Sequence, residues 1–193
     1  MGKGSAYERK ICKQLGLWFT DGARDDIFWR SCQSGGRATQ RAKSGKTTFG
    51  SYGDIAAVDP IGGKLIKLFT IELKRGRSHG CPTDLLDAAK TKCVRPFEAT
   101  LNQAILSTVQ AGSKYWMLIC QRDRKVSMLY TDVDCHVALL NRIHSSPFSR
   151  PPSMRFDILV NQEKGGPMRM KFVGMPLDSF LLRISPKQLL TLL

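Results

Sequence analysis

In "GDIAAVDPIGGKLIKLFTIELKRG", residues 53–76, an acid heads one short apolar run while an acid and a lysine close the next. The runs from Asp54 to Val58 and from Leu65 to Leu73 flank the turn-like "DPIGG", a pattern that predicts a β-hairpin. Antiparallel pairing about Gly63 sets Asp54 opposite Glu72. Side chains alternate along a strand, so Glu72 and Lys74 share one face and Leu73 takes the other. Two carboxylates and an ammonium then meet at one hairpin end. Like charges that close raise one carboxylate's pKa unless a cation intervenes. A few hard oxygen ligands, with positions left for water and phosphate, suit Mg²⁺, with Mn²⁺ able to substitute, better than Zn²⁺. A metal there polarises a phosphoryl oxygen and acidifies a bound water, while Lys74 orients that water or neutralises developing charge. The chemistry implied is phosphodiester hydrolysis. The competing reading makes Asp54 and Glu72 solvated strand ends that pair with nearby Arg or Lys, and Lys74 one member of the basic run "KRGR".

The elements around this corner read as mixed α/β. Tyr7, Ile11, Leu15 and Trp18 line one face of a helix predicted from Ser5 to about Phe19. An apolar knot, "IFWRSC", precedes "QSGGRATQRAKSGKTTFGSYG", which is basic, Gly-rich and too poor in aliphatic residues to bury itself. Helices are expected from about Pro96 to Val109, ending at Gly112, and in "CHVALLNRIH". Strands are expected in "YWMLICQ", "KVSMLYT", "RFDILV" and "MRMKFVG". A terminal helix, "SPKQLLTLL", should use Ser185 as N-cap and Pro186 in its first turn. "SSPFSRPPS" reads as a linker.

The chain has 193 residues, enough for one domain with a proper core. Thirty Lys and Arg against sixteen Asp and Glu give a net charge of +14, a field that attracts polyanions, above all nucleic acid. The six cysteines form no C-x-x-C pair and no disulfide framework, so a reducing cytoplasmic or nucleoid setting is expected, not a secreted one. No apolar run is long enough for a membrane span or a signal peptide.

Asp54 followed by Glu72-Leu73-Lys74 as E-x-K at a strand end resembles the signature of the PD-(D/E)xK nuclease superfamily. "KGSAYER" before the first helix, with "GDIAAV" and "IELKRG", is most similar to archaeal-type Holliday-junction resolvases. The resemblance covers roughly residues 3 to 120. It implies a restriction-endonuclease-like core, a central mixed β-sheet flanked by helices, in residues 1–150, with a long basic loop at about 24–52. Residues 151–193 have no counterpart in it and are read as a C-terminal elaboration packed on the same domain. Matched position by position, Glu8 is the helix acid, Asp54 the strand acid that binds metal, and Glu72 and Lys74 the E-x-K pair. The carbonyl of Leu73 is a further metal ligand. Mg²⁺-dependent cutting of branched DNA by a homodimer follows from the same resemblance. Gly53 stands where the wider superfamily has Pro. The segment between the first helix and Asp54 is longer than a compact resolvase needs. Cleavage of duplex DNA by a restriction-like, homing or repair nuclease is therefore the alternative, and a non-catalytic nucleic-acid-binding protein is a third reading.

Other residues carry two readings each. Ser5-x-x-Glu8 also fits a capping box, with Glu8 reaching back to the Ser5 amide. Arg37, Arg41, Lys43 and Lys46 are either a charged loop without special role or phosphate contacts. Arg30, Arg75 and Arg77 flank the corner as phosphate contacts. Gln103 lies where several branches of the superfamily place a polar helper, but it reads here as a core-edge glutamine. His79, Cys81 and Cys93 have zinc-ligand types without a fourth ligand at a recognisable spacing. His136 and His144 read as surface residues. "SGKTT" lacks the upstream spacing of a phosphate-binding loop.

Overall fold

The structure is a computed structural model that describes residues 3–31, 52–86, 94–142, 150–162 and 166–193. Arg37, Arg41, Lys43, Lys46, Cys32, Cys93 and His144 lie outside the described residues.

Helix α1 spans Lys3–Phe19 and is followed by strand β1, Phe28–Arg30. Strand β2, Ile55–Ala57, precedes a 3₁₀ turn at Pro60–Gly62, helix α2 at Gly63–Leu68 and strand β3 at Phe69–Arg75. A second 3₁₀ turn at Pro82–Leu85 leads towards α3, Pro96–Ala111, then β4, Tyr115–Gln121, and β5, Met128–Asp132. Helix α4, Val133–Leu140, strands β6, Met154–Val160, and β7, Met168–Pro176, and helices α5, Leu177–Arg183, and α6, Pro186–Leu190, complete the order. The main sheet has five strands in the order β3-β4-β5-β7-β6, and β1 and β2 pair in a separate two-stranded ribbon. Strands β3 and β4 run parallel, and the other neighbours are antiparallel. This is an α/β fold whose central mixed sheet is flanked by helices, as expected for a restriction-endonuclease-like core. Residues 151–193 supply two strands of that sheet and two helices.

Period-2 alternation divides the sheet between two cores. Phe69, Ile71 and Leu73 of β3, with Met117 and Ile119 of β4, face α1 and the helices at 177–192. Trp116, Leu118 and Cys120 face α3, through Phe97, Leu101 and Ala104. The even-numbered residues of β3 therefore lie on the α3 side. That side includes Glu72 and Lys74.

The hairpin expected between Asp54 and Leu73 does not form. Asp59 caps the 3₁₀ turn by accepting from the Ile61 amide, and Pro60 supplies its first position. Gly62 packs so tightly on Phe28 that a Cβ there would lie 2.6 Å from the ring. "GKLIKL" then continues as α2, burying Leu65 and Leu68. Their i, i+3 spacing is helical, and the stretch had been given a strand's period. The second apolar run is thus a helix followed by a strand. Its partner β2 pairs with β1 instead.

The remaining expectations differ at their edges. Helix α3 ends on Gly112 at φ +67°, the left-handed cap. Ser185 caps α6 as anticipated. The knot "IFWRSC" contains β1, and α5 lies in a stretch without an assigned element. No helix of the described residues is long and apolar enough to cross a membrane.

Candidate active site

Asp54 reaches β3 without a hairpin. Its backbone amide donates to the Ile71 carbonyl at 2.8 Å, and its carboxylate Oδ2 accepts the Leu73 amide at 2.8 Å. On its other flank Ser31 donates its amide to the Asp54 carbonyl at 2.9 Å and its hydroxyl to the Gly53 carbonyl at 2.7 Å. Asp54 is thereby clamped between β1 and β3, beside Glu72.

Gly53 explains the departure from the superfamily's proline. Its φ is +75°, which the pyrrolidine ring cannot adopt. A Cβ there would meet the Ile71 carbonyl oxygen at 2.7 Å. Gly53→Ala is expected to cost about 1–3 kcal/mol through this strain and to displace Asp54. A lowered thermal midpoint together with reduced nuclease activity checks it; an unchanged midpoint counts against the clamp.

Glu72 is 2 % exposed. Its Oε2 accepts from Gln103 Nε2 at 3.0 Å and its Oε1 from the Ser107 hydroxyl at 2.8 Å. Gln103 Oε1 in turn accepts from Lys74 Nζ at 2.9 Å, holding the ammonium 3.8 Å from Glu72 Oε2. One glutamine on α3 thus spaces the acid from the base. The core-edge reading of Gln103 is corrected: it is exposed and sits on both E-x-K side chains. Ser107, absent from the sequence reading, lies one helical turn further on the same face, and that i, i+4 relation was the available signal.

The Glu72 and Asp54 carboxyl groups lie within hydrogen-bond reach of each other. Burial, and then the Asp54 charge, raise Glu72 to about 7. Burial also raises Asp54, and Glu8 adds to the effect, while the Leu73 amide and Lys74 oppose it. Glu8 is therefore electrostatically part of this corner. It forms an ion pair with Arg30 Nε from β1. Ser5 lies inside α1, which begins at Lys3, so a capping box at Ser5 is not realised.

Glu72's raised value predicts a pH effect on the metal-free protein. Between its ordinary 4.5 and about 7 the native state holds a proton that the unfolded chain releases. Stability is therefore greatest below that window and falls as pH rises through it. In EDTA, Glu72→Gln should be more stable than wild type at pH 8 by about 1–3 kcal/mol, and the two should converge near pH 4.5. Thermal melts across this range check it, and a flat wild-type profile would count against the shift.

The donor set suits a small hard cation. A buried carboxylate, Glu72, and a half-buried one, Asp54, share the corner, and a strand residue's N–H and C=O leave on the same side. The Leu73 carbonyl therefore faces the edge where its amide meets Asp54. Among the described residues no cluster of three or more His, Cys, Asp or Glu can hold a metal. Here the third protein ligand would be that carbonyl, with water completing the shell. The zinc alternative at His79 and Cys81 gains no such cluster either.

The flanking arginines are placed differently from one another. Arg30 is held by Glu8. Arg75 bonds the Gln121 carbonyl at 3.2 Å, pairs with Asp123 at 3.3 Å and lies 5.9 Å from the Tyr7 ring centroid. Arg77 is exposed.

No curated protein and no solved structure matches the chain. A family model described as "Phage putative PDDEXK endonuclease" matches residues 1–191, a span that contains Asp54, the E-x-K strand, α3 and the strands of the C-terminal part. Over nearly its whole length, then, the chain belongs to this PD-(D/E)xK endonuclease family.

Proposed function

We propose that the corner formed by Asp54, Glu72 and Lys74 is the catalytic centre of a Mg²⁺-dependent endodeoxyribonuclease. The observation that carries this reading is the shared end of β3. There the buried Glu72, the half-buried Asp54 and an ammonium spaced by Gln103 meet beside an outward-facing backbone carbonyl. Asp54, Glu72 and the Leu73 carbonyl would hold Mg²⁺, or Mn²⁺ in its place. When bound, the ion supplies Lewis-acid polarisation of the phosphoryl group and acidifies water. Lys74 orients the attacking water and offsets the negative charge that grows on the phosphoryl oxygens. Gln103 fixes Lys74 for this task, and Ser107 fixes the Glu72 carboxylate. Glu8 holds Arg30 at the rim, where the guanidinium meets a phosphate. Arg75, Arg77 and the basic residues Arg37, Arg41, Lys43 and Lys46 extend the grip along the strand.

The three motifs shared with resolvases support branched DNA as the substrate. They also support a homodimer, which would bring one such centre to each of two strands, in a reducing cytoplasm or nucleoid. Cleavage of four-way junctions, flaps, single strands and linear duplexes, side by side with Mg²⁺ and with EDTA, tests the reading. Junctions should be cut fastest and only with metal. Equal rates on duplex would replace the resolvase assignment with a restriction-like one, and binding without any cleavage would end the enzyme reading.

A further inference from the structure

The two edges of the main sheet differ. At β3 the outer edge is taken, because the Asp54 amide bonds the Ile71 carbonyl and the Leu73 amide bonds the Asp54 carboxylate. At the other edge β6 pairs with β7 alone among the described residues. The 3₁₀ turn at Pro82–Leu85 also touches β6, with Leu85 in the core on the α3 side. A protein that stays monomeric blunts a free edge by keeping it short, by a bulge, or by Pro or Lys within it. Strand β6, "MRFDILV", has none of these. It runs for seven residues, and its register with β7 is unbroken from Met154 opposite Gly174 to Val160 opposite Met168. Met154 and Leu159 are exposed apolar side chains on it. Its only charges, Arg155 and Asp157, are one of each sign, and both are exposed.

A second copy closes a symmetric pair along this edge when the two β6 strands run antiparallel about a two-fold axis normal to the sheet. That axis keeps each face of the sheet on its own side, and residues directly opposite share a face, so the axis must pass through a residue rather than between two. Centred on Arg155, it sets that arginine against its own copy; centred on Asp157, it does the same to the aspartate. Like charges directly opposite disfavour both registers. Centred on Phe156, it sets Arg155 opposite Asp157 of the second copy and Asp157 opposite its Arg155, while Met154 meets Ile158. Asp157 already accepts from Arg169, but its side chain keeps 35 % of its exposure, room for a second guanidinium. From this self-complementary register we infer that β6 is a dimer interface, two copies joining edge to edge about Phe156 so that their five-stranded sheets become one. The inference rests on the homodimer of the proposed function and gives it a surface. It leaves the two β3 edges, each with its corner of Asp54 and Glu72, at the outer ends of the joined sheet.

The test uses the full chain without DNA or metal, so that assembly is read apart from cleavage. By sedimentation equilibrium wild type should pass from the chain mass to twice that mass between about 1 and 100 µM. Arg155→Asp sets two like-charge pairs across the axis and should raise the dissociation constant at least about ten-fold. Arg155→Cys and Asp157→Cys, made as separate proteins, read the register independently of charge. Directly opposed residues have Cα atoms about 4.5–5.5 Å apart, within disulfide reach. On oxidation the mixture of the two should therefore give a crosslinked dimer, and each alone no more than the wild-type background. A wild type that stays monomeric at about 100 µM overturns the inference together with the homodimer. An unmoved dissociation constant in a well-folded Arg155→Asp protein, or a mixture that crosslinks no more than its separate components, overturns this interface and leaves a homodimer formed elsewhere. Should Arg155→Asp melt below wild type, the crosslinking pattern decides alone. A dimer with this register that cuts no DNA would end the nuclease reading and leave the interface standing.

Discussion

Lys74→Ala is expected to lower Mg²⁺-dependent DNA cleavage by about 10²–10⁴-fold, the usual worth of a positioned proton-handling or charge-stabilising side chain. Affinity for DNA should stay within a few-fold, because one ammonium among thirty basic residues contributes little to polyanion binding. Glu72→Gln should lose at least as much activity. It keeps the shape of the side chain and a partner for Ser107 but removes the negative charge the metal needs. Gln103→Ala, which frees Lys74 from its spacer, should fall between wild type and these variants, since it disturbs position and leaves the reacting groups in place. Rates measured with Mg²⁺ on the best substrate, beside equilibrium binding in EDTA, separate the two effects. Cleavage within a few-fold of wild type in both Lys74→Ala and Glu72→Gln would remove this corner from the mechanism.

Glu98→Ala should destabilise the protein by about 3–5 kcal/mol, the cost of breaking a buried charge pair from one side. Its side chain is fully buried, yet it is not at the corner of Asp54, Glu72 and Lys74. One oxygen accepts the Arg95 amide at 2.7 Å, and the other takes Arg95 Nη2 at 2.9 Å and the Asn161 amide at 3.0 Å. Arg95 also donates to the Asp84 carbonyl at 3.0 Å, and Asn102 donates to the Asn161 carbonyl at 2.9 Å. Glu98 thus ties the first turn of α3 to the end of β6 and to the 3₁₀ turn at Pro82–Leu85. Burial alone would raise its pKa, but Arg95 and the amides outweigh that and hold it below its ordinary value. Its stabilising contribution is therefore present above the unfolded-state value near 4.5 and is lost as pH falls through the lower native one. Denaturant titration at pH 7 checks the magnitude. Glu98→Gln should lose less than Glu98→Ala, because its amide oxygen can still accept, and a loss below 1 kcal/mol in Glu98→Ala would show that α3 is anchored elsewhere. Activity should fall with stability, since α3 carries Gln103 and Ser107.

Where the sequence has strong local chemistry, the fold was readable in advance. Pro96 at the start and Gly112 at the end frame α3, and "YWMLICQ" is too apolar to be other than a buried strand. Helix α2 was misread because Leu65 and Leu68 are surrounded by apolar neighbours, so a period of two and one of three fit the same six residues. The meeting of Asp54 with Glu72 was anticipated through a hairpin that does not exist. The pairing comes from β1 and β2 folding back as a ribbon, with Ser31 and Ile71 gripping Asp54 from either side. Ser31 had no signal at all in one sequence, since nothing local distinguishes a serine that clamps a distant backbone. Gln103 was undervalued for a related reason. Its partners sit on another strand, and only the docking of α3 over β3 makes it a bridge.

Helix α1 packs on β1 and β3, and it also has partners far along the chain, in residues 177–192. Gln14 donates to Asp178 at 2.7 Å, the Trp18 indole donates to the Ile184 carbonyl at 2.9 Å, and Leu15 shares its core with Phe180, Leu189 and Leu192. Contacts so widely separated in sequence cannot form until the ribosome has delivered those last helices. During synthesis α1 can settle on β1 and β3 before then, but its face towards residues 177–192 stays uncovered until they emerge, so the helix bearing Glu8 is only partly seated on an incomplete nascent chain.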